Sequence, residues 1–220
     1  MLLQRLVKMM ITAGVCGLAA NGASHADVFY LKAERVEIQV EEVDENGLPV
    51  TTTIPMWGYA ECTAKDPTTC GVATVPGPEI TVRENRNLDI WLYNDLTYGD
   101  GSPVAIDGGK TSLSVSGLRL RDNFGPAFWP EQAFDPSGDS AQPRRVRSFT
   151  HETSIGMWRR YRWRANLGDM KPGTYIYHSA THQSVQVQMG LYGPLTITSV
   201  AANDVYPGVT ADATADIFYS

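Results

Sequence analysis

His178 and His182 stand four residues apart in the run Pro172 to Leu195, PGTYIYHSATHQSVQVQMGLYGPL. Imidazole, thiolate and thioether are the donors copper prefers. His151, in Ser148-Phe149-Thr150-His151-Glu152, would have to be the third imidazole, and Met157 and Met189 are the thioethers. An H-x3-H pair shares a face only on a helix. In a loop or bent strand it can still converge, so spacing alone is weak evidence for copper on His178, His182 and His151. Against the metal reading stands a plainer one. His178 and His182 are then hydrogen-bonded turn residues, and His151 pins a loop.

Other chemistries have less support. The chain has no Gly-x-Ser-x-Gly elbow and no clear base with an orienting partner. Cys62 and Cys70 flank a short loop. In an oxidising compartment such a pair is expected to be a disulfide. The alternative, a thiolate copper site, lacks the Cys, His and Met spacing of an electron-transfer centre.

The elements that must position these residues begin after a leader. Arg5 and Lys8 precede the short apolar run Met9 to Ala20, and Ser24-His25-Ala26 is a small-x-small site. Residues 1–26 therefore read as a signal peptide, and the apolar run Met9 to Ala20 is too short for the roughly 20 apolar residues of a membrane span. A periplasmic or secreted protein is expected, with no membrane span in the mature chain. Losing Arg5 and Lys8 takes the formal net charge from −6 to about −8, which argues against nucleic acid, whose binding needs a basic face.

Residues 27–199 read as a single domain built almost wholly of strands. Arg35 to Glu41 alternates polar and apolar, Asn46-Gly47 signals a hairpin, and Val50 to Ile54 returns. Further strands are expected over Glu79 to Arg83, Leu88 to Tyr93, Thr111 to Leu118, Trp158 to Ala165, Thr174 to Tyr177, Val185 to Met189 and Leu191 to Ser199. In Trp158 to Ala165, Tyr161 and Trp163 should face one way and Arg160, Arg162 and Arg164 the other, as a solvated outer face. Many short strands with Gly, Pro, Asn and Asp between them imply a β-sandwich. Arg121 to Arg147 is too long for an ordinary connection, so it should be functional or cover an edge. Its closing arginines, Arg144, Arg145 and Arg147, read as a solvated strand edge. Residues 200–220 form an acidic tail that ends on Asp216-Ile217-Phe218-Tyr219-Ser220.

Taken together, these parts resemble the N-terminal cupredoxin domain of bacterial multicopper oxidases. The resemblance rests on Met56-Trp57-Gly58-Tyr59, Val75 to Val82, Leu88 to Leu96, Ser112 to Gly117 and Pro172 to Leu195, in that order. It implies an all-β, cupredoxin-like Greek-key sandwich, and for the tail the opening strand of a second domain. It also implies that the first domain supplies half the histidines of a three-copper cluster. These would come as His-x-His after a Ser-Leu pair and as His-Ser-His after the Gly-Thr-Tyr strand. Here the first pair reads Ser114-Val115-Ser116 and the second His178-Ser179-Ala180. One of four ligands survives, and a hydroxyl does not replace imidazole on copper.

The expected function is an exported cupredoxin-like subunit or fragment of a copper-dependent oxidoreductase. It would be active only beside other cupredoxin domains. Two alternatives are a stand-alone periplasmic copper carrier and a metal-free binding module.

Overall fold

The structure, a computed structural model, describes residues 26–98, 100–102, 104, 109–121, 125–128 and 146–200. Most of the expected leader, the tail after Val200, and Arg144 and Arg145 lie outside the described residues. No described helix is long and apolar enough to cross a membrane.

The chain opens with a long antiparallel hairpin of β1 (Ala26–Val43) and β2 (Pro49–Cys62). Its turn follows from local chemistry. The Asp44 carboxylate accepts from the amides of Asn46 and Leu48, both at 2.8 Å. Gly47 takes a φ of 79°, open to a residue without Cβ.

Two mixed four-stranded sheets follow. The first has the order β2-β1-β4-β8, with β4 at Asn87–Asp95 and β8 at Trp158–Trp163. In it β1 runs parallel to β4, and β4 antiparallel to β8. The second has the order β3-β10-β9-β5. Here β3 is Ile80–Arg83, β5 Ser114–Val115, β9 Gly173–His178 and β10 Tyr192–Thr198. A ribbon of β6 (Ala127–Phe128) and β7 (Val146–Ser148) lies between β5 and β8 in sequence. The all-β sandwich expected from the sequence is the architecture found.

Alternation decides which side chains enter the core. Leu88, Ile90 and Leu92 of β4 and Tyr161 and Trp163 of β8 are fully buried. They join one cluster with Leu31 and Ala33 of the first sheet and Ile80, Val82, Tyr177, Leu195 and Ile197 of the second. Each such aliphatic or aromatic side chain contributes roughly 1.5–3 kcal/mol by leaving water.

The outer face of β8 is less solvated than expected. Arg162 makes a two-pronged pair with Asp89, both bonds at 2.6 Å, and the Asp89 side chain is only 6% exposed. Arg160 and Lys65 lie over the Trp91 ring, Lys65 at 3.5 Å from its centre. Period-two alternation put these arginines on the right face. It could not reveal that Asp89 and Trp91 of β4 would be their cross-strand neighbours.

Three further expectations are corrected. Val185 to Met189 is not a strand: α1 (Gln183–Gln186) continues into helical turns, with Val187 N–H on the Gln183 carbonyl and Met189 N–H on that of Val185. Alternation over five residues does not separate the two states, and the buried Gln186 side chain favours the helical one. Thr111 to Leu118 yields only the two strand residues of β5, because Thr111 instead bridges Thr153. Arg147 is not a solvated edge residue, since its side chain is 10% exposed and paired with Glu152.

Cys62 and Cys70 are bonded, as expected from their spacing. The loop between them carries a 3-10 turn, Pro67–Thr69, capped by Asp66. Replacing both cysteines by serine should cost about 2–3 kcal/mol of unfolding free energy through freer unfolded chains. A urea midpoint unchanged by the double replacement would show that the loop is held by its hydrogen bonds alone.

Candidate functional site

The residues that replace the expected ligands come from two neighbouring strands. β5 pairs with β9 so that Ser114 lies opposite His178. The next outward residue, Ser116, brings its hydroxyl to 2.8 Å from His178 Nε2. The other ring nitrogen, Nδ1, is 2.9 Å from the Ser179 carbonyl. A carbonyl can only accept, so Nδ1 carries the hydrogen and Nε2 accepts from Ser116. The surviving imidazole therefore offers its lone pair to a hydroxyl at one of the positions where the family resemblance implies a second imidazole.

Behind this pair the serines and threonines form a buried network. Ser112, Ser148, Ser179, Thr111 and Thr181 are all fully buried. Ser112 Oγ lies 3.0 Å from Ser148 Oγ, and Thr181 Oγ1 2.8 Å from Ser112 Oγ. Ser112 also accepts the Ala180 amide at 3.2 Å. Gln186 closes the far side. Its Oε1 accepts from Ser179 at 2.7 Å and Thr111 at 2.8 Å, and its Nε2 donates to the Lys110 carbonyl at 2.8 Å. Each hydroxyl has a partner, which a polar group removed from water requires. Glu152, held by Arg147 through two bonds, reaches Thr181 Oγ1 at 3.3 Å. This ion pair is nearly out of water, so removing either partner would leave a buried charge.

His151 sits apart from that network, 6% exposed and stacked on Tyr161 with ring centres 4.3 Å apart. Its Nε2 is 3.0 Å from the Arg160 carbonyl, so Nε2 carries the hydrogen. Burial lowers its pKa to about 4; the hydrogen bond to the Arg160 carbonyl pulls the other way, and the positive charge of Arg159 adds a smaller lowering. Tyr161 donates to the His151 carbonyl at 2.8 Å, and burial holds its phenol protonated. The imidazole pins the 148–153 loop onto β8, the plainer of the two roles open to it in the sequence.

His182 is the residue before α1 and has a φ of 41°. Its amide donates to the Arg147 carbonyl, and its own carbonyl accepts from Val185 and Gln186. His178 and His182 thus bracket the buried segment Ser179 to Thr181.

Among the described residues, no group of three or more His, Cys, Asp or Glu side chains is placed to hold a metal ion. His178 spends both nitrogens on Ser116 and Ser179, His151 spends Nε2 on a carbonyl, and Cys62 and Cys70 are joined to each other. These placements do not gather three such donors around one point among the described residues.

Sequence reasoning missed four residues that shape this region. Asn94, fully buried, donates to the carbonyls of Gly109 and Thr153 at 2.8 and 2.9 Å and fixes both segments beside β4. Gln186 and the Arg147–Glu152 pair are the others. A polar residue ending an apolar strand, as in Asn94-Asp95-Leu96, was the available signal for the first. A cleft lined by Val28, Phe29, Thr81, Arg83, Arg86 and Thr198 contains none of these groups.

No protein-family model matches the chain, and no curated protein matches it. Solved structures similar to it include a multi-copper oxidase from Pseudomonas thermotolerans, at 17% identity and a TM-score of 0.46. That match covers 79% of this chain and 30% of the oxidase. A copper nitrite reductase from Nitrosomonas europaea follows at 16% identity and 0.42, covering 80% and 43%. Lac15 from a marine microbial metagenome has 22% identity and 0.44, covering 78% and 32%. The chain spans less than half the length of each.

Proposed function

We propose that this chain is an exported, cupredoxin-like domain that contributes framework to a copper-dependent oxidoreductase and is inactive by itself. Residues 1–26 act as the signal peptide, 27–199 as the domain, and 200–220 as a tail leading toward a further cupredoxin domain. The mature chain works in the periplasm or outside the cell, and its partners are other cupredoxin domains or subunits. The observation that carries this reading is the meeting of Ser114, Ser116 and His178 across β5 and β9. On the family resemblance these strands would carry ligands; serines occupy positions 114 and 116, alanine position 180, and Ser116 caps the remaining imidazole.

Metal analysis of wild type and of Ser114→His/Ser116→His tests this. Wild type should retain far less than one copper per chain after dialysis. The variant, with three imidazoles at one place, should hold about one and melt several degrees higher with copper, because a ligand of the folded state stabilises it. Stoichiometric copper on wild type, lost in His178→Ala or His182→Ala, would replace the framework role with that of a copper carrier. A variant that takes up no copper would sink the equivalence of these positions with ligand sites.

A further inference from the structure

The outer half of the β1–β2 hairpin has no sheet beside it. β4 accompanies β1 only from Ala26 to Glu34, so beyond Arg35 the hairpin is a two-stranded arm. A lone two-stranded ribbon is marginal in water. One face of the arm is nonetheless apolar: Val36, Ile38 and Val40 of β1 lie opposite Met56, Ile54 and Thr52 of β2, with Val50 beyond. Ile54 is 39% exposed and Val50 44%.

β2 is also the edge of its sheet. Its outward amides can be assigned from the pairing. The Asp44 amide donates to the Leu48 carbonyl, so even-numbered residues of β2 bond to β1 and odd-numbered ones face out. Trp57 and Tyr59 follow this rule and donate to the carbonyls of Met189 and Thr74. Thr51 and Thr53 point the same way and meet no partner among the described residues. Pro49 and Pro55, the flanking outward positions, have no amide to offer. The open edge therefore holds two donors, centred on Thr52.

We propose that two copies of this chain pair through this edge, antiparallel about a two-fold axis at Thr52. Thr51 of one copy then exchanges both backbone bonds with Thr53 of the other, and the reverse, giving four bonds in total. The proline amides missing from the chain fall where the ladder ends. On the apolar face Val50 comes beside Ile54 of the second copy, and the two arms complete a four-stranded surface. Charge selects this edge over the other free edge of the arm. Pro49 to Trp57 carries no charge, whereas Arg35 to Val43 includes Glu37, Glu41 and Glu42, which would oppose contact between two acidic chains.

Sedimentation equilibrium over a range of concentrations, on the full chain with Cys16→Ser, reads the association. The mass should rise from one chain to two. Thr53→Pro removes an outward amide and none of the hairpin's own bonds, so it should weaken dimerisation about tenfold or more while the monomer melts as before. In the same background Thr52→Cys should oxidise to a covalent dimer, because residue 52 faces itself across the axis, and Thr68→Cys should not. A chain that stays monomeric and gives no Thr52→Cys dimer would overturn the proposal, as would a dimer indifferent to Thr53→Pro.

Discussion

Gly190→Ala is expected to destabilise the chain by about 4 kcal/mol, from backbone strain and overpacking acting together. Gly190 has a φ of 112°, where side chains are strained. An added Cβ would stand 2.3 Å from the Trp57 carbonyl oxygen and 2.7 Å from Val75 Cγ2. The backbone cannot easily give way, because Trp57 N–H is already bonded to the Met189 carbonyl at 2.7 Å. This joint docks α1, and with it Gln186 and the hydroxyl network, onto β2. Gly156→Ala separates the two causes. Its φ of 73° is also positive, but nothing lies within 4 Å of the added carbon, so it should cost only about 1 kcal/mol. Urea unfolding of both variants gives the comparison, and equal losses would show that steric closeness at Gly190 is unimportant.

The second large effect is acid destabilisation through His151. Its folded pKa of about 4 lies below the usual 6.5. Between those values the unfolded chain holds a proton that the folded chain refuses, so stability rises with pH across that window. The contribution is fully present above pH 6.5, falls as the pH drops toward 4, and is flat below. With solvent screening its full size is about 1–3 kcal/mol, a sizeable fraction of a domain's stability. Replacement by glutamine keeps a donor for the Arg160 carbonyl and removes the titration. Wild type should lose more stability than His151→Gln between pH 7 and pH 4. Parallel profiles would mean that the imidazole titrates normally in the folded chain.

Much of the fold was legible because alternation and turn chemistry are local. The β1–β2 hairpin, β4, β8, β9 and β10 follow from period-two patterns and from Asn46-Gly47. The Cys62–Cys70 bond follows from a short loop. The Val185 to Met189 segment was misread for the converse reason: its helical state depends on where Gln186 finds partners, on Ser179, Thr111 and Lys110. None of these is near it in a strand pattern.

By itself the sequence determined that the chain is an all-β sandwich, and its resemblance to a known family singled out Ser114, Ser116 and His178, since both are matters of residue type and order. Tertiary structure alone decided what those residues do. Whether a histidine presents a free lone pair, pins a loop or meets a serine hydroxyl depends on groups brought within 3 Å from distant segments. Ser116 reaches His178, and the Arg160 carbonyl reaches His151, only because strand register puts them there.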